Sequence, residues 1–479
     1  MVEPTTRAVP VRGPLLTDEQ RQAVHDGALT ILERTGLEVE SASLRETLAR
    51  HRGVSVVEGR ARFESQLVED LLQRPEPRPW QPAQGDRIHL SGGCCAHHIV
   101  DPDTDRIRPV TWDDLVEGVR LFDAMHDVDV SGHAPGFPQD VPPDMQALGE
   151  YVIGALYGRG GPSFTAPCPL EAYEYLLRMD EVLGRETSLP LYVISPLKLM
   201  GDSFQVVERF LNRVDRFSVG SMPVMGATAP IHMPSAFMLA LAESFGGLVV
   251  IKLLRPDARV SFGFMAFPMD MKFGTMVYGA PEMNLCDMFR MEMAAFYGRE
   301  NGATRSIRSM SKRPDFQAAL ERAGSAVAGV LMGSRAFFGA GMLSVDEVWS
   351  PEMLVMDREI ADYAERFARG IELGPEALDP AVAEEGALAG SFMGLDSTLQ
   401  HFRQAYWLPK LSERRMLNGW LAAGAPDLRH RAREEMRRLL DACEFELPAE
   451  QARALRHLYR EAAQQIVGGT GLPEGRSEP

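Results

Sequence analysis

The fold is decided by residues 190–264, where three apolar segments, PLYVIS (190–195), FSVGSMPVM (217–225) and RVSFGF (259–264), are separated by helical stretches at 203–214 and 235–253. Each segment is short and rich in β-branched and aromatic side chains, which is typical of strands. Each intervening stretch is long enough to form a crossover helix. Strands that alternate with helices in this way predict βαβ units and a parallel sheet.

The same alternation continues on both sides of this stretch. Further strands are predicted at 128–132, 162–166, 303–307, 334–340 and 389–393, with helices at 170–183, 281–297, 315–333 and 351–369. About eight strand–helix repeats predict a TIM (β/α)8 barrel over residues 126–394. A doubly wound sheet is the alternative, but no G-x-G-x-x-G motif follows the first strand.

The regions that flank the predicted barrel are mostly helical. Residues 15–125 combine helical stretches, the first with a capping-box signature at Thr17 and Gln20, with a small hairpin at 86–110. Residues 395–466 are again helical and rich in Arg, Glu and Leu. Residues 1–14 and 467–479 are interpreted as tails, which we expect to be disordered because they are rich in Pro, Gly and charged residues.

Composition and charge narrow the class of protein. The net charge of −17 argues against a nucleic-acid-binding surface, which requires clustered Lys and Arg. Five cysteines without a CxxC pair indicate a reducing compartment. The N-terminus lacks the apolar region of a signal peptide, and the longest apolar run, 248–254, is too short to span a membrane. We therefore expect a soluble, cytoplasmic protein.

Candidate site residues lie in the loops that follow the predicted strands, because active sites of TIM barrels form there. These loops are rich in Met, aromatic residues, Gly and Pro, and poor in acids and bases. The aromatic residues in and just before the longest loop are Phe262, Phe264, Phe267, Phe273 and Tyr278, and all of them except Phe273 are taken as candidate substrate-binding residues. Such rings attract a quaternary ammonium group by about 0.5–2 kcal/mol each. Packing is the alternative role for each ring.

Two glycine-containing segments are candidates for binding a flat, bulky ligand. Gly226, Ala227 and Thr228 form the first segment, and Gly339 and Gly341 belong to the second. Glycine allows a ligand to approach the backbone closely. Tight turns are the alternative interpretation of both segments.

Few residues in these loops could act as an acid or a base. Asp270 lies between two methionines and could orient a cationic substrate or cap a turn. His133 and His232 could each act as a base or be structural, and we take Asp270 and His133 as the candidate catalytic residues. In CCAHH (94–98) the possible ligands stand too close together for a tetrahedral zinc site, so we expect no metal.

Several longer segments, in a consistent order, carry a resemblance to a known family. They are ILERTGLEVES (31–41), DPDTDRIRPVTWDDL (101–115), PQDVPP (138–143), MPVMGATAPIHMPSAF (222–237), FPMDMKFGTMVYGAPEMNL (267–285), SPEMLVMDREI (350–360) and LQHFRQAYWLPKL (399–411). The chain resembles the trimethylamine methyltransferase superfamily, in particular its non-pyrrolysine, glycine-betaine type of member. The resemblance covers about residues 15–465.

The resemblance implies a TIM barrel that moves a methyl group from an N-methylated amine to the cobalt of a corrinoid (cobalamin) carried by a separate small protein. Cob(I)alamin is a strong nucleophile, so the barrel would mainly position the methyl group and exclude water. A quaternary ammonium donor leaves as a neutral amine and requires no general acid. The shortage of acids and bases in the loops agrees with this chemistry.

Two segments depart from the family's pattern. The family commonly has His–Asp–Val–Gly–Tyr–Leu where this chain reads FGAGML (338–343), and a His-Thr-Leu-like segment where it reads DSTL (396–399). The trimethylamine enzymes also carry pyrrolysine, which this sequence lacks. We therefore predict a betaine-like quaternary amine as the substrate, and we add Phe338 and Met342 to the substrate-binding residues.

Two other functions remain open at this point. A divergent member could use another methyl donor or acceptor, such as a folate, and the altered segment at 338–343 favours this reading. A protein that binds a betaine or a corrinoid without catalysis is the second alternative. Apolar stripes on the helices of 427–466 also indicate a homo-oligomer.

Overall fold

The computed structural model describes residues 7–8, 13–76, 83–163, 168–299 and 305–479, which form a mixed α/β protein that is about half helical. The helices are α1 (Asp18–Arg34), α2 (Ala42–Leu48), α3 (Ser65–Leu72), α4 (Trp112–Ala124), α5 (Gln146–Tyr157), α6 (Leu170–Leu183), α7 (Gly201–Phe210), α8 (Met233–Leu254), α9 (Pro281–Phe296), α10 (Phe316–Leu331), α11 (Pro351–Ala368), α12 (Pro380–Ala389), α13 (Asp396–Ala405), α14 (Leu417–Ala422), α15 (Leu428–Asp441) and α16 (Ala449–Ile466). The strands are β1 (Arg7–Ala8), β2 (Leu37–Val39), β3 (Val54–Val57), β4 (Arg60–Phe63), β5 (His89–Gly92), β6 (His98–Val100), β7 (Ile107–Pro109), β8 (Val130–Gly132), β9 (Ser188–Tyr192), β10 (Lys198–Leu199), β11 (Arg216–Gly220), β12 (Arg259–Phe262), β13 (Met269–Asp270), β14 (Thr275–Met276), β15 (Arg305–Ser306), β16 (Ala336–Ala340), β17 (Met342–Leu343), β18 (Val348–Trp349) and β19 (Ile371–Glu372).

Two parallel sheets form the framework of the protein. The first has the order β12-β11-β9 and the second the order β15-β16-β5-β8. Helices connect consecutive parallel strands, as α7 does between β9 and β11 and α8 between β11 and β12. The alternation of strands and helices predicted from the sequence is therefore confirmed for both sheets.

The number of predicted strands is only partly confirmed, and the closed barrel is not confirmed. The first parallel strand is β5, inside the region predicted as a hairpin, where it pairs with β16 and β8. The strand predicted at 389–393 is wrong, because α12 continues to Ala389 and ends at Gly390 with φ +69°. Of the predicted strands at 162–166 and 303–307, residues 164–167 and 300–304 lie outside the described part of the chain. Within the described residues no ladder joins β12 to β15 or β8 to β9, so the sheet is not closed.

The N-terminal region attaches to the first parallel sheet. The predicted capping box of α1 is present, with Thr17 accepting from the backbone of Gln20 and Gln20 accepting from Thr17 in return. A small sheet of order β10-β2-β4-β3 was not predicted, because its strands are only two to four residues long. The predicted hairpin is confirmed for β6 and β7, which pair antiparallel.

Helix α8 is the most apolar helix in the described part of the chain. It is long and apolar enough to cross a membrane, but 78% of that window is buried inside the protein. It packs against α1, α3 and β12, and its residues from Leu239 to Ile251 are nearly all buried. These contacts identify it as a core helix.

The C-terminal helices pack on the second parallel sheet's side of the molecule. α15 contacts α11 and α4, and α16 contacts α6 and α5. The segment 467–479, expected to be a disordered tail, follows α16 along the protein surface. There the Tyr459 hydroxyl donates to the Gly471 carbonyl at 2.6 Å, and Leu472 is 9% exposed.

Candidate functional site

A cavity of about 420 Å³ lies at the carboxyl ends of the parallel strands of both sheets. Its volume is within the range of small-molecule sites. Strand ends and the loops that follow them supply its lining, with α9 closing one side. The lining residues are Ser91, Gly220, Ser221, Gly263, Phe264, Met265, Phe267, Tyr278, Met283, Asp287, Arg290, Arg305, Ser306, Arg308 and Phe338.

Four of the six predicted substrate-binding residues line this cavity. They are Phe264, Phe267, Tyr278 and Phe338. The rings of Phe267 and Tyr278 meet edge to face, with centroids 5.9 Å apart. The loop that carries Phe267 is joined to the loop after β11, because the Met225 amide donates to the Phe267 carbonyl at 2.8 Å. The cavity therefore has a wall of packed aromatic rings.

The other two predicted substrate-binding residues lie elsewhere. The ring of Phe262 packs on Phe245 and lies 4.2 Å from Cζ of Arg299. Met342 is completely buried in the core of the second sheet. Its carbonyl oxygen accepts from the buried guanidinium of Arg322. A substrate contact of either residue stays a prediction.

The structure places a guanidinium group against the predicted aromatic residues. Cζ of Arg308 lies 4.5 Å from the ring centre of Phe338 and 4.9 Å from that of Tyr278. Its Nη1 donates to the Tyr278 hydroxyl at 3.4 Å, and its Nε donates to Asp346. Phe338 and Tyr278 thus already contact one cation of the protein, and Phe262 and Phe264 contact another, Arg299, at 4.2 and 5.9 Å.

Asp346 is held next to Arg308 by an unusual backbone. Ser344, Val345 and Asp346 have φ values of 50°, 69° and 153°, in the left-handed region that non-glycine residues rarely adopt. The Ser344 amide donates to the Ser311 carbonyl at 2.8 Å and the Ser344 hydroxyl to Glu347 at 2.6 Å. Burial raises the pKa of Asp346. Strained backbone of this kind clusters at functional sites.

Two further arginines and a carboxylate line the cavity. Arg305, on β15, is 1% exposed, and burial lowers the pKa of its guanidinium to about 10. Asp287, on α9, is 2% exposed. It lies 3.3 Å from Nη2 of Arg290 and accepts from the Ser306 amide at 3.3 Å. Sequence reasoning missed these residues, because Arg305 lies inside a predicted strand and Asp287 and Arg290 lie inside a predicted helix and not in a loop.

The glycine segments predicted to bind a cofactor differ in their surroundings. Gly226 has φ +85°, and a Cβ there would lie 3.2 Å from Ile231 Cδ1 and Met271 Sδ. A Cβ on Gly339 would collide with the stem of Arg308, and one on Gly341 with the ring of Trp349. Gly339 and Gly341 thus make room for side chains of the protein itself.

The Gly226 segment is a tight turn that we call the rim; it is joined to the cavity wall because Pro223 and Met225 exchange backbone hydrogen bonds with Phe267. Ala227 and Thr228 donate from their amides to the Val224 carbonyl, and the Thr228 hydroxyl oxygen accepts from the Val224 amide at 2.9 Å. Large apolar side chains around this turn are exposed, namely Met222, Ile231, Met271 and Phe273. Exposed apolar patches of this kind mark interaction surfaces.

The predicted catalytic residues have structural partners. Asp270 accepts from the amides of Lys272 and Phe273, at 2.8 and 3.1 Å, and so caps the turn between β13 and β14. His133 lies beside Gly93, and its Nδ1 is 3.2 Å from the Ala134 carbonyl oxygen. Burial lowers the pKa of His133 to about 4, so the ring is neutral at pH 7. Their catalytic roles stay predictions.

The remaining motif residues do not gather around a metal. His232 is the exposed N-cap residue of α8. Cys94 and Cys95 have their Sγ atoms 3.1 Å apart, and Cys94 Sγ lies 3.7 Å from Nη2 of Arg308. In the part of the chain that the structure describes, no three His, Cys, Asp or Glu side chains come together as a metal site would require.

Parallel strands with a ring-lined, arginine-bearing cavity at their carboxyl ends define an α/β protein with a small-molecule site. A model of the trimethylamine methyltransferase (MTTB) family matches residues 3–157 and 181–465, and the chain belongs to this family. It is accordingly a methyltransferase-type enzyme. The resemblance inferred from the sequence is confirmed.

Relatives in this family act on different methylated amines. The trimethylamine methyltransferase MttB of Desulfitobacterium hafniense (strain DSM 10664 / DCB-2) is 28% identical over 93% of each chain. The glycine betaine methyltransferase of D. hafniense (strain Y51) is 24% identical over 85% of this chain and 88% of that protein. The monomethylamine methyltransferase MtmB of Methanosarcina barkeri aligns in structure over 90% of this chain and 96% of its own, with 12% identity and a TM-score of 0.40.

Proposed function

We propose that this protein transfers a methyl group from a betaine-like quaternary amine to the cobalt of a corrinoid carried by a partner protein. The observation that carries the proposal is the ring-lined cavity at the strand ends of a chain from a methyltransferase family. Both trimethylamine and glycine betaine are substrates in the names of its relatives. Of these two substrates, the predicted preference favours glycine betaine, which is a quaternary amine. After it gives up a methyl group, its nitrogen leaves as a neutral amine and requires no proton.

The aromatic wall supports binding of a methylated ammonium group. Phe264 and Phe267 line the cavity, and Arg308 covers neither ring, although Cζ of Arg299 lies 5.9 Å from the ring centre of Phe264. A quaternary ammonium ion over such rings gains about 0.5–2 kcal/mol per ring, more when water is excluded. The wall contains little that could protonate or deprotonate the donor, and transfer of a methyl group from a quaternary nitrogen requires neither.

The rim of the cavity supports a corrinoid as the acceptor. Its exposed apolar side chains and the small residues at Gly226 and Ala227 offer an apolar surface to a macrocycle, with the ammonium group of Lys272 5.2 Å from the ring centre of Phe273. These residues fit the face of a corrin ring. A reduced corrinoid, when bound there, supplies the nucleophile that accepts the methyl group, while the protein holds the donor in line and excludes water.

We further propose that the two parallel sheets are arcs of one (β/α)8 barrel. All their strands run parallel, and residues of β5, β11, β15 and β16 and the residue after β12 line the same cavity. The order along the chain, β5, β8, β9, β11, β12, β15 and β16, leaves one place between β8 and β9. The predicted strand at 162–166 falls at that place. An experimental structure with ladders from β12 to β15 and through that strand would test this.

A homo-oligomer and a cytoplasmic location complete the proposal. Between residues 378 and 421, many large apolar side chains are exposed, including Leu388 at 90% and Met416 at 85%. A second copy of the chain is the occupant we propose for this surface. Light scattering on the purified protein tests this directly, since a monomer at all concentrations would contradict it.

The methyl transfer is tested with free cob(I)alamin and a panel of methylated amines. Glycine betaine and related quaternary amines are expected to yield methylcobalamin and the demethylated amine, followed by absorbance and mass spectrometry. Trimethylamine is expected to yield neither. A protein that turns over no amine of the panel, with either free or protein-bound corrinoid, contradicts the proposed function.

A further inference from the structure

The cavity carries more positive than negative charge among its described residues. Three guanidinium groups line it, those of Arg290, Arg305 and Arg308, against the single lining carboxylate of Asp287. Arg290 is paired with Asp287, and Arg308 with Asp346. A substrate that carried only an ammonium charge would add a like charge to this site, which is unfavourable where water is excluded.

Arg305 is the lining guanidinium for which the described residues supply no acceptor. Both of its terminal nitrogens are buried without a hydrogen-bond partner, and its Nε donates only to Met291 Sδ at 3.0 Å. With a pKa of about 10 it is still protonated at pH 7. A buried charged group with unused hydrogen-bond donors lowers the stability of the fold. A protein therefore retains such a group where a bound ligand supplies the missing acceptors.

The side chain of Arg305 is also held in place. Its backbone is fixed by the pairing of β15 with β16, where Arg305 stands opposite Phe337. Its stem passes over Gly329 of α10, where an added Cβ would lie 3.0 Å from Arg305 Cδ. A guanidinium positioned in this way loses little freedom when it binds a planar anion.

We propose that Arg305 binds a carboxylate of the methyl donor, so that the substrate is a zwitterionic N-methylated amino acid. The proposal rests on the function proposed above and assigns a residue to the selection of the substrate. The free donors of Arg305 suit two parallel hydrogen bonds to a carboxylate. The rings of Phe264 and Phe267 then face the ammonium end, and the net charge brought into the cavity is zero.

Binding of the amine to the purified protein can be measured without any corrinoid. This measurement tests the role of Arg305 independently of methyl transfer. Calorimetry would compare glycine betaine with choline, which has the same trimethylammonium group but a hydroxyl in place of the carboxylate. We expect the wild type to bind glycine betaine about 10- to 100-fold more tightly. Arg305→Gln is expected to abolish this preference and Arg305→Lys to retain part of it. The exposed Arg259, at the opposite ends of the strands, provides the control Arg259→Gln.

A second measurement does not depend on any ligand. Because Arg305 is charged and buried without an acceptor, Arg305→Met is expected to raise the melting temperature of the ligand-free protein. Glycine betaine should then stabilise the wild type against heat and leave Arg305→Met unchanged. A lower melting temperature of the ligand-free variant would assign Arg305 to the fold and overturn the proposal.

Several other outcomes would also overturn it. Equal affinity of the wild type for choline and glycine betaine would do so, as would a preference for glycine betaine that survives in Arg305→Gln. Inorganic phosphate that displaces glycine betaine at equal concentration would indicate a general anion site instead. Carboxylate-selective binding without methyl transfer, in contrast, would retain Arg305 as the anchor and contradict only the proposed function.

Discussion

The guanidinium of Arg308 lies over the ring of Phe338, with Cζ 4.5 Å from the ring centre. Phe338 lies in the segment that is interpreted from the sequence as a departure from the family's pattern, and the structure shows what this ring contacts. Gly339, the next residue, leaves space for the stem of Arg308. Phe338 and Gly339 together therefore accommodate Arg308. The strained segment at 344–346 holds Asp346 in the position where it pairs with this arginine.

The Arg308–Asp346 pair predicts a strong effect of Asp346→Asn. Both side chains are largely buried, so the variant leaves a buried guanidinium without its counter-ion, at a cost of about 3–5 kcal/mol in the free energy of unfolding. Displacement of Arg308 should also lower kcat/KM about a hundredfold. Urea unfolding and steady-state kinetics measure the two effects.

A surface pair provides the control for Asp346→Asn. Asp129 pairs with Arg87, and both side chains are roughly half exposed. Asp129→Asn should therefore change the free energy of unfolding by less than about 1 kcal/mol. Similar effects of the two substitutions would remove the special role assigned to the buried pair.

The aromatic wall predicts a selective effect on donor binding. Phe267→Leu keeps an apolar side chain but removes a ring face, and we expect KM for the quaternary amine to rise about 3- to 30-fold with little change in kcat. Phe316→Leu is the matched control, because Phe316 is 80% exposed at the start of α10. An unchanged KM in Phe267→Leu would mean that the ring only packs against Tyr278.

The apolar rim predicts a separate effect on the acceptor. Met271→Asp introduces a charge beside Gly226 and should raise the cob(I)alamin concentration required for half-maximal rate by about tenfold or more. Affinity for the amine, measured by calorimetry, should stay the same. Leu320→Asp, at a position of α10 that is 60% exposed and outside both the cavity and the proposed oligomer surface, is the control. Loss of amine binding in Met271→Asp alone would show that Met271 belongs to the donor site instead.

His133 predicts a dependence of stability on pH. Its pKa is about 4 in the folded protein, below its ordinary 6.5, because burial disfavours the imidazolium. Between these values the unfolded state binds more protons, so stability is fully present above pH 6.5 and is lost as the pH falls towards 4, by up to about 3 kcal/mol. Urea unfolding of His133→Gln should lack this component, and the exposed His126→Gln should retain it. Parallel pH profiles of the wild type and His133→Gln would contradict the buried, neutral state of His133.

The regular part of the fold could be predicted from the sequence because its signals are local. The segments of β9, β11 and β12 are apolar and separated by whole helices, so the parallel order follows from spacing alone. The first strand of the second sheet could not be found in this way. β5 carries the sequence HLSG and lies before a real hairpin, and only its pairing with β16, far along the chain, reveals its place.

The site was predictable in its apolar part and not in its charged part. Phe264, Phe267 and Tyr278 were found because rings in loops at strand ends are a recognisable pattern, and Phe338 was found because the family resemblance marks its segment as a departure. Arg305 stands inside a predicted strand, and its importance comes from the absence of an acceptor for its terminal nitrogens among the residues that the structure describes. The two cofactor-binding predictions at Gly339 and Gly341 could not be judged from sequence, because glycine gives the same signal for a ligand as for a neighbouring side chain.

The central claim is tested most directly by following the methyl group itself. Glycine betaine with three deuterated methyl groups would be incubated with the enzyme and cob(I)alamin in a single turnover, and both products analysed by mass spectrometry. We predict trideuteromethylcobalamin and dimethylglycine with the two remaining labelled methyl groups, in equal amounts. Unlabelled cobalamin together with intact betaine, or label found on any other acceptor, would contradict the account.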